Sequence, residues 1–146
     1  MNIQSIAGFA AISADPESSH ALYKGGLGLN MKQMGDYHCM DRFPGCNHFG
    51  IWPLHMAAKS CFGTDVWPDS VPIPSSTIEF ELDSHDEVIA AVTELKAQGQ
   101  EFVHEAIVEE WGQTLARFLS PENILIGLSF APWLHDNLED SSTEGD

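Results

Sequence analysis

Two neighbouring side chains in the first half of the chain have types suited to proton transfer. Tyr37 and His38 stand side by side, and either could serve a substrate as an acid or a base, because imidazole titrates near neutral pH. The simpler interpretation, which we favour, is a sheet rim where both residues only pack. The cysteines, Cys39, Cys46 and Cys61, have no Cys-x-x-Cys spacing, and we interpret them as small hydrophobic residues rather than nucleophiles.

A second chemistry, metal binding, is suggested by the histidines that follow. His48, Trp52 and His55 lie on or near one predicted strand. Residues four apart share one face of a regular strand, so His48 and Trp52 point the same way, whereas His55 has the opposite parity. Because metal ligands must converge on one point, this pattern argues against a metal pair. We interpret His48 as a polar residue of a cleft or of the surface, and His55 as a strand-end residue.

A third chemistry is the recognition of a small molecule by aromatic and acidic side chains. The chain has four tryptophans, a residue type that packs in cores and also forms walls suited to a planar or cationic ligand. Glu79 and Glu81 alternate with apolar residues over residues 77–82. A buried carboxylate needs a partner or a positively charged ligand. These two acids therefore lie inside a cleft, or else they face solvent or a dimer seam.

The charge of the chain argues against two classes of partner. Its 146 residues include 22 acidic and 6 basic ones, for a formal net charge of -16. Nucleic acids and anionic membrane surfaces repel such a polyanion. Residues 1–11 contain neither a basic segment nor a long apolar stretch, so we expect no secretory signal and no transmembrane segment. Together with the cysteine pattern, this predicts a cytoplasmic protein.

Periodicity and capping residues predict the elements of the first half. A strand over residues 6–13 leads to a helix over residues 17–24, which Asp15 and Pro16 begin. The remaining elements follow in chain order: strands at 29–39 and 47–54, a short strand or turn at 57–61, and a rim loop at 63–76.

The second half has the clearer pattern. Residues 77–82 alternate with period two, as in a half-buried strand. A capping box from Ser84 to Glu87 begins a helix that Gly99 ends. Three further strands are predicted at 102–108, 114–119 and 124–130.

The two halves follow the same order of elements. Each begins with a strand that ends at an aspartate, and a capped helix and further strands follow. The aspartates, Asp15 and Asp83, are 83 - 15 = 68 residues apart, about half the chain. Such an offset indicates duplication of one supersecondary module.

These stretches resemble the vicinal oxygen chelate superfamily, which includes glyoxalase I, the extradiol dioxygenases, the fosfomycin-resistance enzymes and the bleomycin-resistance proteins. Residues 15–29 are similar to the family's helix with its "LGL" ending, and residues 77–83 to the opening of the second module. The closing hairpin of the family resembles Trp111-Gly112, Phe118, Pro121-Glu122 and Ile126.

The resemblance implies an α+β fold in which two βαβββ modules, at about residues 3–62 and 75–132, form a curled mixed sheet around a cleft. We expect one domain over residues 1–135 and an acidic, disordered tail over residues 136–146. Family members with two modules per chain often pair, so we also expect a homodimer.

The metal ligands of the family are the part of the pattern that this chain lacks. Metal-dependent members place a histidine on the first strand of each module and a carboxylate on the last. By the resemblance, these positions fall at Gly8, at Thr77 and at Gly127, and the late position of the first module falls near residues 52–54, where no acid occurs. Glycine has no side-chain ligand atom and threonine is a poor substitute for imidazole, so we expect neither a metal nor another cofactor.

Three functions remain open from the sequence. The first is a metal-free binding protein of the bleomycin-resistance kind, which would hold an aromatic or cationic compound. The second is a divergent metal-dependent lyase, isomerase or dioxygenase, and the third is a scaffold whose cleft is closed. For the first, the expected ligand-binding residues are Trp52, Trp111, Phe118, His48, Tyr37 and Glu79.

Overall fold

The computed structural model describes residues 1–135, which form one mixed sheet of eight strands with three α-helices packed against it. This architecture confirms the predicted α+β class and the curled mixed sheet built from repeated modules. The predicted module bounds and the single-domain assignment stay predictions. The predicted tail, residues 136–146, lies outside the described residues.

The first module contains one helical segment and four strands. Strand β1 is Ser5–Ser13, helix α1 is Pro16–His20, and a π-helical turn continues it over Ala21–Gly26. The remaining strands are β2 (Lys32–Met34), β3 (Tyr37–Phe43) and β4 (Cys46–Pro53).

Helix α2 (Leu54–Phe62) then leads through a loop to the second module. Its elements in chain order are β5 (Ser76–Glu81), α3 (His85–Ala97), β6 (His104–Val108), β7 (Thr114–Leu119) and β8 (Leu125–Phe130). Residues 132–135 form a last helical turn.

The sheet order shows the internal repeat directly. The strands follow one another as β2-β3-β4-β1-β5-β8-β7-β6. In each module the first strand pairs in parallel with the last one, β1 with β4 and β5 with β8. The modules meet where β1 and β5 pair antiparallel, so the centre of the sheet is built from corresponding strands of the two halves.

The capping residues act as the sequence predicts. The Asp15 side chain accepts a hydrogen bond from the Ser18 amide, with Pro16 at the first helical position. Ser84 Oγ accepts from the Glu87 amide at 3.1 Å. These side chains satisfy amides that the first helical turn leaves without intrahelical partners.

Two element predictions of the first half are wrong. Residues 29–39 do not form one strand, because the chain reverses between β2 and β3 at Gly35, whose φ of 62° suits glycine. Residues 57–61 belong to helix α2 rather than to a strand or turn. Leucine, methionine and two alanines favour a helix there, and Gly63 ends it with a φ of 78°.

The helices cover the sheet in two separate cores. Helix α3 packs Val88, Ala91 and Val92 against Ala116 and Leu128 of β7 and β8. Helix α2 forms the other core with the end of β4 and the loop after it. Its buried members are Ala10, Trp52, Ala57, Ala58, Cys61, Trp67 and Leu125. The sheet face opposite α3 is therefore covered at one end only.

None of the helices within residues 1–135 is long and apolar enough to cross a membrane.

Candidate functional site

A cavity of about 620 Å³ lies on the sheet face opposite α3, where the two modules meet. Both modules contribute to it, through Gly8 and His48 on one side and Glu79 and Arg117 on the other. The volume is in the range of small-molecule sites.

One row of cross-strand neighbours forms the floor of this cavity. The strand registers join Asp41 to His48, Gly8 to Glu79, Glu79 to Gly127, Gly127 to Arg117, and Arg117 to His104. Gly8 lies beside His48, because a Cβ atom on Gly8 would be 3.5 Å from His48 Cβ. Since direct cross-strand neighbours face the same side of a sheet, the row places charged side chains around two glycines.

On the first-module side, four side chains form a continuous hydrogen-bonded chain. Lys32 Nζ donates to Asp41 Oδ2 at 2.5 Å, and the other carboxylate oxygen lies 2.6 Å from His48 Nδ1. His48 Nε2 lies 2.5 Å from the Tyr37 hydroxyl. A carboxylate that holds an imidazole, which in turn contacts a hydroxyl, can pass a proton along the chain. We call Lys32, Asp41, His48 and Tyr37 the Tyr37 relay.

The environment sets the protonation of this relay. Burial raises the pKa of the Tyr37 phenol, so the hydroxyl keeps its proton at neutral pH. Burial also acts to raise the pKa of Asp41, but hydrogen bonds from Lys32 and His48 outweigh it and hold that pKa below its usual value. The relay therefore contains an ionised carboxylate, Asp41, and ends in the neutral phenol of Tyr37.

Gly50 is needed beneath the Tyr37 side chain. A Cβ atom on Gly50 would overlap the hydroxyl and ring of Tyr37. Any larger residue at this position would displace Tyr37 from the contact with His48. Sequence reasoning missed Gly50, because only the cross-strand geometry shows which ring lies over it.

On the second-module side, a buried arginine dominates the cavity wall. The Arg117 side chain is only 1% exposed, and its Nη1 donates to Glu109 Oε1 at 2.8 Å and to His104 Nε2 at 3.0 Å. The guanidinium lies over the Trp52 ring, 5.2 Å from its centroid. Burial and the charge of Arg117 lower the pKa of His104 to about 4, so this imidazole is neutral and can accept.

Glu79 stands between the two glycines and is oriented by an amide. Gln113 Nε2 donates to Glu79 Oε1 at 2.9 Å and to Ser129 Oγ at 2.8 Å. Gln113 Oε1 accepts from the Trp111 indole at 2.8 Å. Within residues 1–135, Glu79 has no cationic partner.

Glu81, two residues further, is not part of the cavity lining. Its carboxylate accepts from Ser129 Oγ at 2.7 Å and from the Ala131 amide at 2.6 Å, and it contacts His135 at 2.9 Å. Burial raises the pKa of this carboxyl. Glu81 thus lies neither inside the cleft nor facing solvent, the positions that the sequence left open for it, because its carboxylate is buried among protein partners.

Five of the six predicted ligand-binding residues come together in the cavity lining: Trp52, Trp111, His48, Tyr37 and Glu79. Phe118 does not, and its placement in the cleft is wrong. Its side chain packs with the α3 core and makes an edge contact with Phe102 at 5.3 Å between ring centroids. Its strand neighbour Arg117 has the opposite parity and faces the cavity instead.

The other candidate histidines lie away from the cavity. His38 stacks on His20 with ring centroids 3.7 Å apart and has Lys24 Nζ 3.1 Å from its Nδ1. Burial lowers the pKa of His38, as do His20 and Lys24. His55 contacts Asp36 at 3.7 Å. These histidines line a second, smaller cavity beside α1.

Two of the three cysteines are buried, which agrees with their interpretation as small hydrophobic residues. Cys39 and Cys61 are buried, and Cys46 is half-buried. Burial raises the pKa of the Cys39 thiol, and it raises that of Cys61 to about 11. Neither buried thiol is a thiolate at neutral pH, which makes both poor nucleophiles.

The strand register groups Glu79, rather than Thr77, with the two glycines of the cavity floor. The residue of β5 that pairs with both Gly8 and Gly127 is Glu79, whereas Thr77 pairs with Ala10 and Leu125. In the same row, the first module contributes His48 beside Gly8. The row thus places two potential ligand side chains, His48 and Glu79, beside two glycines.

This donor set does not fit a transition metal. A catalytic zinc-type site takes three protein ligands, and no group of three or more histidine, cysteine, aspartate or glutamate side chains converges within residues 1–135. Both ring nitrogens of His48 already have partners, Asp41 and Tyr37.

No family model and no curated protein matches this chain, whereas solved structures do. An NAD-dependent benzaldehyde dehydrogenase from Legionella pneumophila superposes with a TM-score of 0.58 at 10% identity, over 84% of this chain and 96% of that one. A glyoxalase/bleomycin resistance protein/dioxygenase superfamily member from Vibrio splendidus 12B01 gives 0.55 at 11%, over 87% and 100%.

A third similar structure is the Mn(II)-bound glyoxalase from Novosphingobium aromaticivorans, with a TM-score of 0.53 at 19% identity, over 88% of this chain and 39% of that one. At such identities the similarity establishes the fold and not the activity. The chain has the vicinal oxygen chelate fold.

Proposed function

We propose that this chain is a metal-free binding protein of the bleomycin-resistance kind, which holds a small aromatic cation in the cavity between its modules. The observation that carries the proposal is Glu79, a carboxylate on the cavity lining whose only hydrogen-bond partner among residues 1–135 is the neutral amide of Gln113. A carboxylate without a counter-charge in a partly dry site favours a positively charged ligand.

Aromatic surface around Glu79 supports a ligand with a planar body. Trp111 is 51% exposed and Trp133 is 45% exposed, and both line the cavity. Exposed indole rings at the mouth of a cavity provide apolar area and a face that attracts cations. Trp52 offers less aromatic surface to a ligand than the sequence predicts, because Arg117 lies over its ring.

A titration of tryptamine, an aromatic cation, tests this proposal. Glu79→Gln keeps the size of the side chain and removes its charge, so we expect about a tenfold loss of tryptamine affinity, as for other charged hydrogen bonds. Glu122→Gln, an exposed residue of the turn between β7 and β8, is the matched control and should bind as the native chain does. Equal losses in both variants, or no binding by the native chain, would contradict the proposal.

A metal-dependent lyase, isomerase or dioxygenase is the second candidate. One observation favours it: His48 and Glu79 flank Gly8 on the cavity floor. Elemental analysis of protein purified without chelators distinguishes the two functions. A stoichiometric transition metal that the His48→Ala variant loses would support this enzyme and overturn the metal-free proposal.

Two further properties belong to the same proposal. We infer that the protein works in the cytoplasm, in line with three cysteines that form no disulfide. We also infer a homodimer, the arrangement common among two-module members of this fold. The molar mass in solution, measured by light scattering, should be twice that of the 16.0 kDa chain. The mass of a monomer would contradict the inferred homodimer.

A further inference from the structure

We propose that the cationic head of the ligand is a primary or secondary ammonium group, not a quaternary one, and that it lies over Gly8 between the Glu79 carboxylate and the Tyr37 hydroxyl. The inference rests on the proposed function, because it keeps the cation at Glu79. It adds the position of the head group and its chemical class. It also gives a role to the Tyr37 relay, which the proposed function leaves unused.

The first step is the space over Gly8. This residue lines the cavity and has no side chain that would fill the floor. A Cβ atom on Gly8 would be 3.5 Å from both Glu79 Oε1 and His48 Cβ, and no atom would lie closer to it than 3.4 Å. Strand β1 carries Gly8 between β4, which carries His48, and β5, which carries Glu79. These two side chains therefore border the space from opposite sides.

The second step is the acceptor capacity of Glu79. Among residues 1–135, its only hydrogen-bond partner is the Gln113 amide, which donates to Oε1 at 2.9 Å. The orientation of that amide is fixed, because Gln113 Oε1 accepts from the Trp111 indole and leaves Nε2 as the donor. A carboxylate oxygen has two lone pairs. Glu79 Oε2 and one lone pair of Oε1 therefore remain for the N–H groups of a ligand.

The third step is the direction of the hydrogen bonds in the Tyr37 relay. Asp41 is ionised, so His48 Nδ1 carries a proton and donates it to Asp41 Oδ1 at 2.6 Å. Nε2 of the neutral imidazole then accepts the proton of the Tyr37 hydroxyl at 2.5 Å. A hydroxyl has one donor and two acceptor positions. The Tyr37 hydroxyl has used its donor, so it offers only lone pairs to the cavity.

The fourth step is that these two acceptors belong to one environment. His48 borders the space over Gly8 and holds the Tyr37 hydroxyl at that side. Burial raises the pKa of the Tyr37 phenol, and the charge of Glu79 adds to this rise. A positive group between the two oxygens removes their mutual repulsion. An ammonium with two or more N–H groups can donate to both oxygens, whereas a quaternary ammonium can donate to neither.

The fifth step is the position of the aromatic surface. Proteins that recognise quaternary ammonium groups surround them with aromatic faces. In this cavity the exposed indoles are those of Trp111 and Trp133, which support the planar body of the ligand. The space over Gly8 is bordered instead by hydrogen-bond acceptors. The cavity therefore recognises the head group by hydrogen bonds and the body by apolar contact.

A methylation series tests the inference by isothermal titration. Tryptamine, N-methyltryptamine, N,N-dimethyltryptamine and N,N,N-trimethyltryptammonium have the same charge and carry three, two, one and no N–H groups. We expect the first two to bind alike. The compound with one N–H group should bind about tenfold more weakly, and the quaternary compound more weakly still, because each lost bond to a charged group costs about this much.

Tyr37→Phe separates hydrogen bonding from the bulk of the added methyl groups. It keeps the ring and removes one acceptor, so it should weaken tryptamine about tenfold. It should change the affinity for N,N-dimethyltryptamine by less than about twofold, because the single N–H group of that compound already goes to the charged acceptor, Glu79. An equal loss for both compounds would assign Tyr37 a structural role and contradict the inference.

Gly8→Ala covers the case in which Tyr37→Phe does not fold. The added methyl group meets no atom closer than 3.4 Å in the protein but occupies the floor on which the head group rests. We expect at least a tenfold loss of tryptamine affinity with the fold retained. Gly25→Ala, whose Cβ atom would have no neighbour within 4 Å, is the matched control. Unchanged tryptamine affinity in Gly8→Ala would contradict this position of the head group.

The outcomes on the native chain separate the inference from the proposed function. Equal affinities for tryptamine and the quaternary compound would overturn the inference and leave the binding of a cation at Glu79 intact. Binding of none of the four compounds would overturn both. Affinities that fall as N–H groups are removed, together with the selective loss in Tyr37→Phe, would support both.

Discussion

In the first half of the sheet, β1 contributes Gly8 and β4 contributes His48 to the cavity floor. In the second half, the corresponding strands β5 and β8 contribute Glu79 and Gly127, so the glycine and the functional side chain exchange places. The repeat therefore preserves the backbone while the two halves carry different chemistry. The cavity floor therefore has two polar side chains, His48 and Glu79, beside two glycines.

The next strands outward extend this difference. β3 carries Asp41, which is tied to Lys32 and His48, whereas the corresponding strand β7 carries Arg117, which is tied to Glu109 and His104. One wall is built around a carboxylate and the other around a guanidinium, and each of these groups has its own counter-charge, Lys32 or Glu109.

The largest effect that we predict comes from the first wall. Gly50→Ala should lower the free energy of unfolding by about 3 kcal/mol, because its Cβ atom would overlap Tyr37 and force this half-buried ring from its hydrogen bond with His48. Urea denaturation measures the loss. In a Tyr37→Ala background the same substitution should cost little, and an equal cost in both backgrounds would contradict the close contact.

The second prediction concerns the pH dependence of the second wall. The pKa of His104 is lowered to about 4, below its unfolded value of about 6.5. The unfolded chain therefore binds more protons between these values, and the stability contribution is complete above pH 6.5 and is lost as the pH falls to 4. We expect a loss of about 2–3 kcal/mol.

The His104→Gln variant isolates this contribution, because other groups titrate in both proteins. Unfolding free energies of the native chain and the variant should differ in their slope between pH 4 and 6.5. Parallel curves would show that folding does not lower the pKa of His104. This would contradict the role of His104 as a neutral hydrogen-bond acceptor for Arg117.

The smallest effect compares the two glycines of the floor. A Cβ atom on Gly127 would lie 3.1 Å from Glu79 Cγ and 3.2 Å from Leu115 Cδ2, whereas one on Gly8 would meet its nearest atoms at 3.4 Å or more. We expect Gly127→Ala to cost about 1 kcal/mol and Gly8→Ala to be neutral or slightly stabilising. Thermal melts of both variants measure this difference in stability. Equal melting temperatures would indicate that the surroundings of Gly8 and Gly127 are packed equally tightly.

The fold was largely predictable from the sequence, because local signals and the repeat agree. The period-two pattern of β5, the Asp15 and Ser84 caps and the 68-residue offset all describe the observed modules. Helix α2 is hard to predict because it begins directly after β4 and has no capping side chain that marks its start. The hairpin of β2 and β3 was missed for a similar reason, since β2 has only three residues.

The site was less predictable, because it depends on register and parity. A bulge between Ile6 and Gly8 shifts the pairing of β1 with β5, so that Gly8 pairs with Glu79, and the sequence does not show this shift. Phe118 and Arg117 present a similar problem. Both faces of β7 carry buried side chains, because one face packs against α3 and the other lines the cavity. Polarity alternation alone does not tell which face is the apolar core.

Isothermal titration of tryptamine after exhaustive dialysis against EDTA tests the central claim most directly. If the site is metal-free, tryptamine should bind saturably and more tightly than neutral tryptophol. Its affinity should not change when Mn²⁺ is added back. Tryptamine binding that disappears with EDTA and returns with Mn²⁺ would contradict it.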